Sequence, residues 1–220
     1  MSPRKLKLLK RLRIPHYHYE FALKKQGYSL IAGVDEVGRG SWAGPVVAAS
    51  VILPEKRIYK LRDSKLLLIN ERRLLARKII KKAVSYSIQF VSHFQIDALG
   101  LHQATILAYK RALKNLRVRA DFVLVDAYRI PNLSIPHLPI IKGDMKCVSI
   151  AAASIIAKVT RDNFMIELSN IYPQYDWQNN KGYPSPKHQA ALKKLGPTPF
   201  HRKSFKPIKR LLKFKTLSGQ

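Results

Sequence analysis

The sequence is short of acid and almost without cysteine. Its 220 residues carry 13 Asp and Glu against 41 Lys and Arg, a formal net charge of +28. A surplus of that size favours a polyanionic partner, with nucleic acid ahead of an anionic membrane surface. The single cysteine, Cys147, excludes an intramolecular disulfide and a zinc site built on thiolates. On its own it reads as a small core residue. The seven histidines are scattered without a metal-ligand spacing. Long hydrophobic runs are also missing, since those near 43–53 and 148–157 are too short to span a bilayer. The first residues, Met1-Ser2-Pro3-Arg4-Lys5-Leu6-Lys7, lack the apolar centre of a signal peptide. These absences lead to the expectation of a soluble, cytoplasmic protein with no membrane partner.

What is present is enough apolar material for a core, at 46% of residues. The pattern divides the chain into a basic N-terminal extension over 1–28, one domain over 29–205 and a basic tail over 206–220. Residues 4–13 alternate basic and leucine-type side chains, as a short amphipathic helix or a loose arm would. Apolar spacing predicts helices over 71–83 and 149–171, another beginning at Asp97 as its N-cap, and one over 186–195. Strands are predicted from Leu30, over 85–94 with Tyr86, Ile88 and Phe90 on one side, over 122–125, and over 139–141. Strands alternating with helices predict an α/β domain, a sheet flanked by helices.

The stretch Ile31-Ala32-Gly33-Val34-Asp35-Glu36-Val37-Gly38-Arg39-Gly40 stands at its centre. Two carboxylates sit at the end of an apolar strand, where acids are almost never buried unless paired. Asp126 closes the strand over 122–125, and Asp144 follows the strand over 139–141. Taken singly, Asp126 could cap a turn and Asp144 could be a helix-terminal charge. Taken together, four carboxylates at strand ends cannot all ionise without cations to screen them. Mg²⁺ or Mn²⁺, oxygen-seeking and content with water and phosphate as further ligands, suits such a set. In a strongly basic chain this points to metal-dependent phosphodiester cleavage, two ions acting on the attacking and leaving oxygens. A noncatalytic nucleic-acid-binding protein would explain the charge equally well, but not the placement of the carboxylates.

Asp35-Glu36-Val37-Gly38-Arg39-Gly40, followed by Ala43-Gly44-Pro45-Val46-Val47, resembles the signature of the ribonuclease HII family, the type 2 ribonucleases H. Further matches come in the family's order: Asp63-Ser64-Lys65, the strand ending at Asp126, Lys142-Gly143-Asp144, and the run from Ala151 to Asp162. Lys181-Gly182-Tyr183 with His188, and His201-Arg202-Lys203-Ser204-Phe205, complete the set. The resemblance implies a ribonuclease H-like fold, a central mixed β-sheet flanked by helices with a C-terminal helical region. It implies Asp35, Glu36, Asp126 and Asp144 as catalytic metal ligands. Its substrates would be RNA–DNA hybrids and duplex DNA containing ribonucleotides, cut to leave 3′-hydroxyl and 5′-phosphate ends by a monomeric enzyme. It also implies that the backbone of Gly38, Arg39 and Gly40 reads the ribose 2′-hydroxyl and that Tyr183 stacks on the neighbouring nucleotide. Lys65, Lys181 and Arg202 would be phosphate contacts.

Arg161 and Asp162 are expected to pair on their helix, and His188 and His201 to pack or cap. The chain departs from the family pattern at Ala127, where glycine is usual, at Gly100, where asparagine is common, and at Ser41-Trp42. The basic extensions fall outside the signature and are expected to add nonspecific phosphate contacts. Deleting residues 1–13 should then flatten the salt dependence of duplex binding, by a slope of about 0.9 for each phosphate that these residues neutralise. A slope matching the full chain's would remove these residues from binding.

Overall fold

The computed structural model describes residues 15–55 and 68–217, with side chains through Leu212. The basic stretch over 4–13 and the Asp63-Ser64-Lys65 turn, with the phosphate contact expected of Lys65, lie outside the described residues. In chain order the elements are α1 (His18–Lys25), β1 (Ile31–Val37), β2 (Val46–Ile52), α2 (Ile69–Lys82) and β3 (Ser85–Val91). Then come α3 (His93–Leu99), α4 (Leu101–Lys114), β4 (Phe122–Asp126), β5 (His137–Ile140) and α5 (Val148–Ile171). The described chain closes with α6 (Trp177–Asn180), α7 (Pro186–Leu195) and α8 (Lys206–Leu217). No helix among the described residues is long and apolar enough to cross a membrane. The chain divides into two compact units that interleave in sequence.

The first unit holds the chain up to Glu36, Ala48–Gln89 and Tyr109–Val159. It is built on a five-stranded sheet of order β3-β2-β1-β4-β5. β2 is buried along its whole length, and β1 is buried from Ile31 to Asp35, as sheets covered on both faces require. β1, β4 and β5 run parallel, with Val34 opposite Val125 and Asp126 opposite Ile140. The first half of α5 covers the sheet, and Ile150 through Ala153 and Ile155 through Ala157 are fully buried. Its approach is set by Gly33, where an added methyl carbon would lie 2.1 Å from the Ser149 carbonyl carbon. Strand and helix backbones meet there, with no side chain between them.

The helix α1 falls in the part expected to be a basic N-terminal extension, where the residues from Glu20 to Lys25 suit a short helix. Its Leu23 packs in a cluster with Ile31, Leu124, Ile140, Cys147 and Ile150. Glu20 is buried as well, and its Oε1 accepts the Ser149 N–H at 2.8 Å and the Ser149 hydroxyl at 2.7 Å. A carboxylate there complements the positive end of α5. Cys147 is fully buried in the same cluster, and burial pushes its thiol up, as suits a core residue. β3 lies at the sheet's edge, and Tyr86 and Phe90, which share one side as the alternation required, face outward. The buried face belongs to Ser85, Ser87 and Val91.

The second unit holds Val37–Val47, Phe90–Ala108 and the chain from Thr160 onward. Its core gathers Ala43, Met165, Leu168, Tyr175, Trp177, Leu192 and Ile208. The residues expected as a basic tail include α8, which contributes the fully buried Ile208 to this core. Asp97 does not open a helix. Ser92 caps α3 by accepting the Gln95 N–H, and Gly100, at φ 78°, closes it. Asp97 instead accepts the N–H groups of Lys203 and Ser204, each at 2.9 Å, just ahead of α8.

His188 and His201 form a neutral pair within the aromatic core. The Thr198 N–H donates to His201 Nδ1 at 2.8 Å, which leaves the proton of His201 on Nε2. That proton points to His188 Nε2 at 3.0 Å, which also accepts the Trp177 indole N–H at 3.2 Å. His188 Nδ1 then donates to the Tyr183 carbonyl at 2.8 Å. Packing and capping, as expected, are what these histidines do. Burial and the neighbouring His188 lower His201 to about 3.

Replacing Gly33 by alanine should cost about 3 kcal/mol, because the added carbon meets backbone that cannot rotate away. A urea denaturation midpoint equal to that of the parent protein would show that α5 can retreat without loss.

Candidate active site

The register of the parallel strands places the site. One residue beyond the Val34–Val125 pair stand Asp35 and Asp126, at the carboxyl ends of neighbouring strands. This is where open α/β sheets present ligands. Beyond β5, Lys142 adopts a left-handed φ of 56°, and the chain turns into a short 3-10 helix, Gly143–Met145, that carries Asp144. Glu36 follows Asp35 directly. Asp35 and Asp144 are buried, while Glu36 and Asp126 are half-buried.

The surroundings of each carboxylate are polar and specific. Asp35 Oδ1 accepts the Glu36 N–H at 2.7 Å, and the Ser154 hydroxyl on α5 also bonds to Asp35. Asp126 Oδ1 accepts the Gly143 N–H at 2.6 Å, which ties the turn carrying Asp144 to the end of β4. The Tyr109 hydroxyl, on α4, donates to Glu36 Oε2. Burial, and after it the charges of Glu36 and Asp126, push the Asp35 carboxyl well above its ordinary range; Asp144 adds to the push and Ser154 opposes it.

Among the described residues no group of three or more His, Cys, Asp or Glu is already disposed to hold a metal ion. The carboxylates nonetheless fit a hard divalent cation. All their donors are oxygen, their mutual repulsion calls for positive charge, and such ions keep water and substrate oxygens in their shell. Ala127, which follows Asp126, sits at φ 56°, a left-handed conformation that glycine adopts without strain.

The second unit holds the Gly38-Arg39-Gly40 turn. Arg202 is fully buried. Its guanidinium donates to the carbonyls of Gly38 at 2.7 Å, Arg39 at 2.9 Å and Gly44 at 3.0 Å. The phosphate contact expected of Arg202 is therefore replaced by a structural one, and burial lowers its pKa to about 9. Arg161 is equally buried and directs its guanidinium to the carbonyls of Pro45, Lys181 and Ala43 and to the Ser41 hydroxyl. Those bonds reach well beyond the helical neighbour, Asp162, expected as its partner.

The Arg39 side chain donates to the Thr105 hydroxyl at 2.7 Å. Gly38 has φ 96°, and an added carbon there would lie 2.2 Å from Arg161 Nε. Gly40 differs, since an added carbon would meet only the Tyr183 ring, at 3.7 Å. Tyr183 is half-buried, with the Arg161 guanidinium 5.5 Å from its ring centre. The Lys181 ammonium donates to the Gln178 carbonyl.

Sequence reasoning passed over Tyr109, Ser154, Ser41 and Thr105. Tyr109 fell on the apolar stripe of its helix with Ile106 and Leu113, and nothing in that spacing distinguishes a phenol that meets a carboxylate from one that fills a core. The arginines were visible but gave no sign of being buried, because Arg is mostly an exposed residue.

The family model for ribonuclease HII matches residues 32–208. The chain is 47% identical to the ribonuclease HII of Caldicellulosiruptor bescii over 191 residues, 86% of this chain and 93% of that protein. It is 48% identical to the ribonuclease HII of Koribacter versatilis over 205 residues, 93% of this chain and 80% of the other. Its fold is similar to the crystal structure of the ribonuclease H2 from Pyrococcus horikoshii. That match has a TM-score of 0.73 at 28% identity and covers 84% of this chain and 98% of that one.

The raised Asp35 sets a testable sign. Between the ordinary value of 3.8 and its higher folded value, the folded protein holds a proton that the unfolded chain releases. Stability from this group is full below 3.8 and is lost as the pH rises through the folded value. Asp35→Asn should therefore raise the melting midpoint in chelator at pH 8, and raise it less at pH 5. A midpoint that falls at both values would show that the carboxylate is not under the repulsion described.

Proposed function

Because the chain belongs to the ribonuclease HII family, and so to the metal-dependent endoribonucleases of the ribonuclease H type, we propose that it cuts the RNA strand of RNA–DNA hybrids and nicks duplex DNA 5′ of embedded ribonucleotides. The observation that carries this reading is the strand register that sets Asp35 abreast of Asp126, with Glu36 and Asp144 close enough to raise Asp35. Asp35, Glu36, Asp126 and Asp144 are the residues that hold divalent cations in this reading. Two such ions, Mg²⁺ or Mn²⁺, would supply the positive charge under which water attacks the phosphate and the 3′-oxygen leaves. The products are then a 3′-hydroxyl and a 5′-phosphate.

The chain's own contribution is position. Arg202 fixes the Gly38 and Arg39 peptides through their carbonyls. This prepares the turn, in our reading, to distinguish ribose from deoxyribose at its 2′-hydroxyl. The glycine at 38 is demanded by φ and by Arg161, whereas the open space at Gly40 beside Tyr183 suits a sugar approaching the main chain. Tyr183 stacks on the neighbouring nucleotide, while Lys181 and Lys65 contact phosphates in the same reading. The surplus of positive charge attracts the duplex.

The test is cleavage of a DNA duplex with one ribonucleotide, in Mg²⁺, in Mn²⁺ and in chelator. A metal-dependent nick on the 5′ side of the ribonucleotide is expected. Cleavage of long hybrids alone would remove the junction-reading role of the glycine turn and Tyr183, and binding without a cut in any metal would overturn the catalytic reading. Gly40→Ala, whose methyl group meets little in the protein, should fold normally and lose about tenfold in nicking, or about 1.4 kcal/mol.

A further inference from the structure

We propose that Tyr109 is a positioning residue that holds the Glu36 carboxylate in the orientation in which it meets the cation. The inference rests on the reading of Glu36 as a metal ligand. Tyr109 is fully buried on α4, between the buried Ala108 and Ala112. Its hydroxyl donates to Glu36 Oε2 and lies 3.4 Å from the Asp126 carbonyl oxygen. Its helical neighbours Ile106 and Leu113 are buried and apolar. A phenylalanine or leucine would fill that volume without taking a polar group out of water, so the hydroxyl needs a partner to be tolerated. Its partner is one oxygen of a carboxylate at the strand ends.

The consequence is geometric. Glu36 is half-buried and has more rotatable bonds than the three aspartates around it, so it is the carboxylate with most freedom to lose. With Oε2 engaged by the phenol, the plane of the carboxylate is set. Asp35 is steadied by Ser154 and Asp126 by the Gly143 N–H in the same manner. Partners of this kind behind metal-binding carboxylates commonly matter for affinity as much as for rate. A phenol is protonated at neutral pH and so remains a donor.

The test compares the full chain with Tyr109→Phe and Tyr109→Leu. Mn²⁺ binding to the free protein is followed by calorimetry, alongside kcat and KM on the ribonucleotide duplex. Tyr109→Phe keeps the ring and loses the bond. It should bind Mn²⁺ about tenfold more weakly and lose kcat about tenfold, with KM for the duplex unchanged within about twofold. Unaltered or tighter Mn²⁺ binding by Tyr109→Phe overturns the proposal, the tighter case meaning that the hydroxyl competes with the ion. Loss of affinity in Tyr109→Leu alone also overturns it, because packing would then be the residue's whole role. A parent protein that cuts and binds Mn²⁺ beside an unaffected Tyr109→Phe removes the Tyr109 role only. A parent protein that does neither removes the carboxylate reading beneath it.

Discussion

Like charge held at the ends of parallel strands is the constraint that the first unit is built around. Once β1 and β4 pair with Val34 opposite Val125, the next residues are both aspartates, and no side-chain rotation carries them far apart. A buried carboxylate beside others of its kind is unfavourable by burial and by repulsion together. Everything adjacent contains that cost. Ser154 on α5 offers Asp35 a hydroxyl, which requires α5 to lie close to the sheet. Gly33, with no side chain, lets it lie there. Glu20 then anchors the helix start through Ser149, so a helix near the chain's N-terminal end stands two steps from the carboxylates.

The second unit meets the opposite difficulty, buried positive charge. Arg161 and Arg202 are both fully enclosed, and the bonds described for them run to carbonyl oxygens and one serine hydroxyl. Burying a guanidinium costs several kcal/mol unless its donors are used, and a loop rich in carbonyls is a way to use them. The result is a rigid turn, with the peptides of Gly38, Arg39 and Gly44 each fixed by the same planar group. Lysine, a single point of charge, could not engage three carbonyls in one plane. The neutral tautomers of His188 and His201 fit this setting, since a further buried positive charge would add to the repulsion among these groups.

Much of this was legible in the residues. Period-two and helical spacing located most of the elements, and Asp35, Glu36, Asp126 and Asp144 could be placed at strand ends because each follows an apolar, β-branched run. What escaped was set by tertiary contact. The break at Gly100 divides a helical pattern that looked continuous, and a capping serine at 92 competes on local grounds with Asp97. Which side of β3 faces the core depends on its place at the sheet's edge, which alternation does not carry. Arg202 sits in a run of basic and polar residues typical of a surface, and only the folded chain shows it enclosed. Tyr109 has the periodicity of a core residue and is one, with a polar end whose neighbour lies 73 residues away.

The scarcity of acid gives these placements their weight. The chain has 13 Asp and Glu against 41 Lys and Arg, and several of the described acids have a specific task. Glu20, Glu71, Asp97 and Asp121 each accept a backbone N–H from outside their own peptide, at Ser149, Leu68, Lys203 and Leu30. They satisfy donors at helix starts and turns that the backbone itself leaves unmet. Asp126 does the same for Gly143, but Asp35 and Asp144 are buried with other carboxylates for neighbours. Capping does not explain that company, because a cap needs one carboxylate and is weakened by a second. A surplus of positive charge elsewhere in the chain is no remedy either, since screened surface lysines do little for buried carboxylates. The unbalanced charge is concentrated at the strand ends, and the proposed role of these carboxylates as cation ligands draws on that concentration.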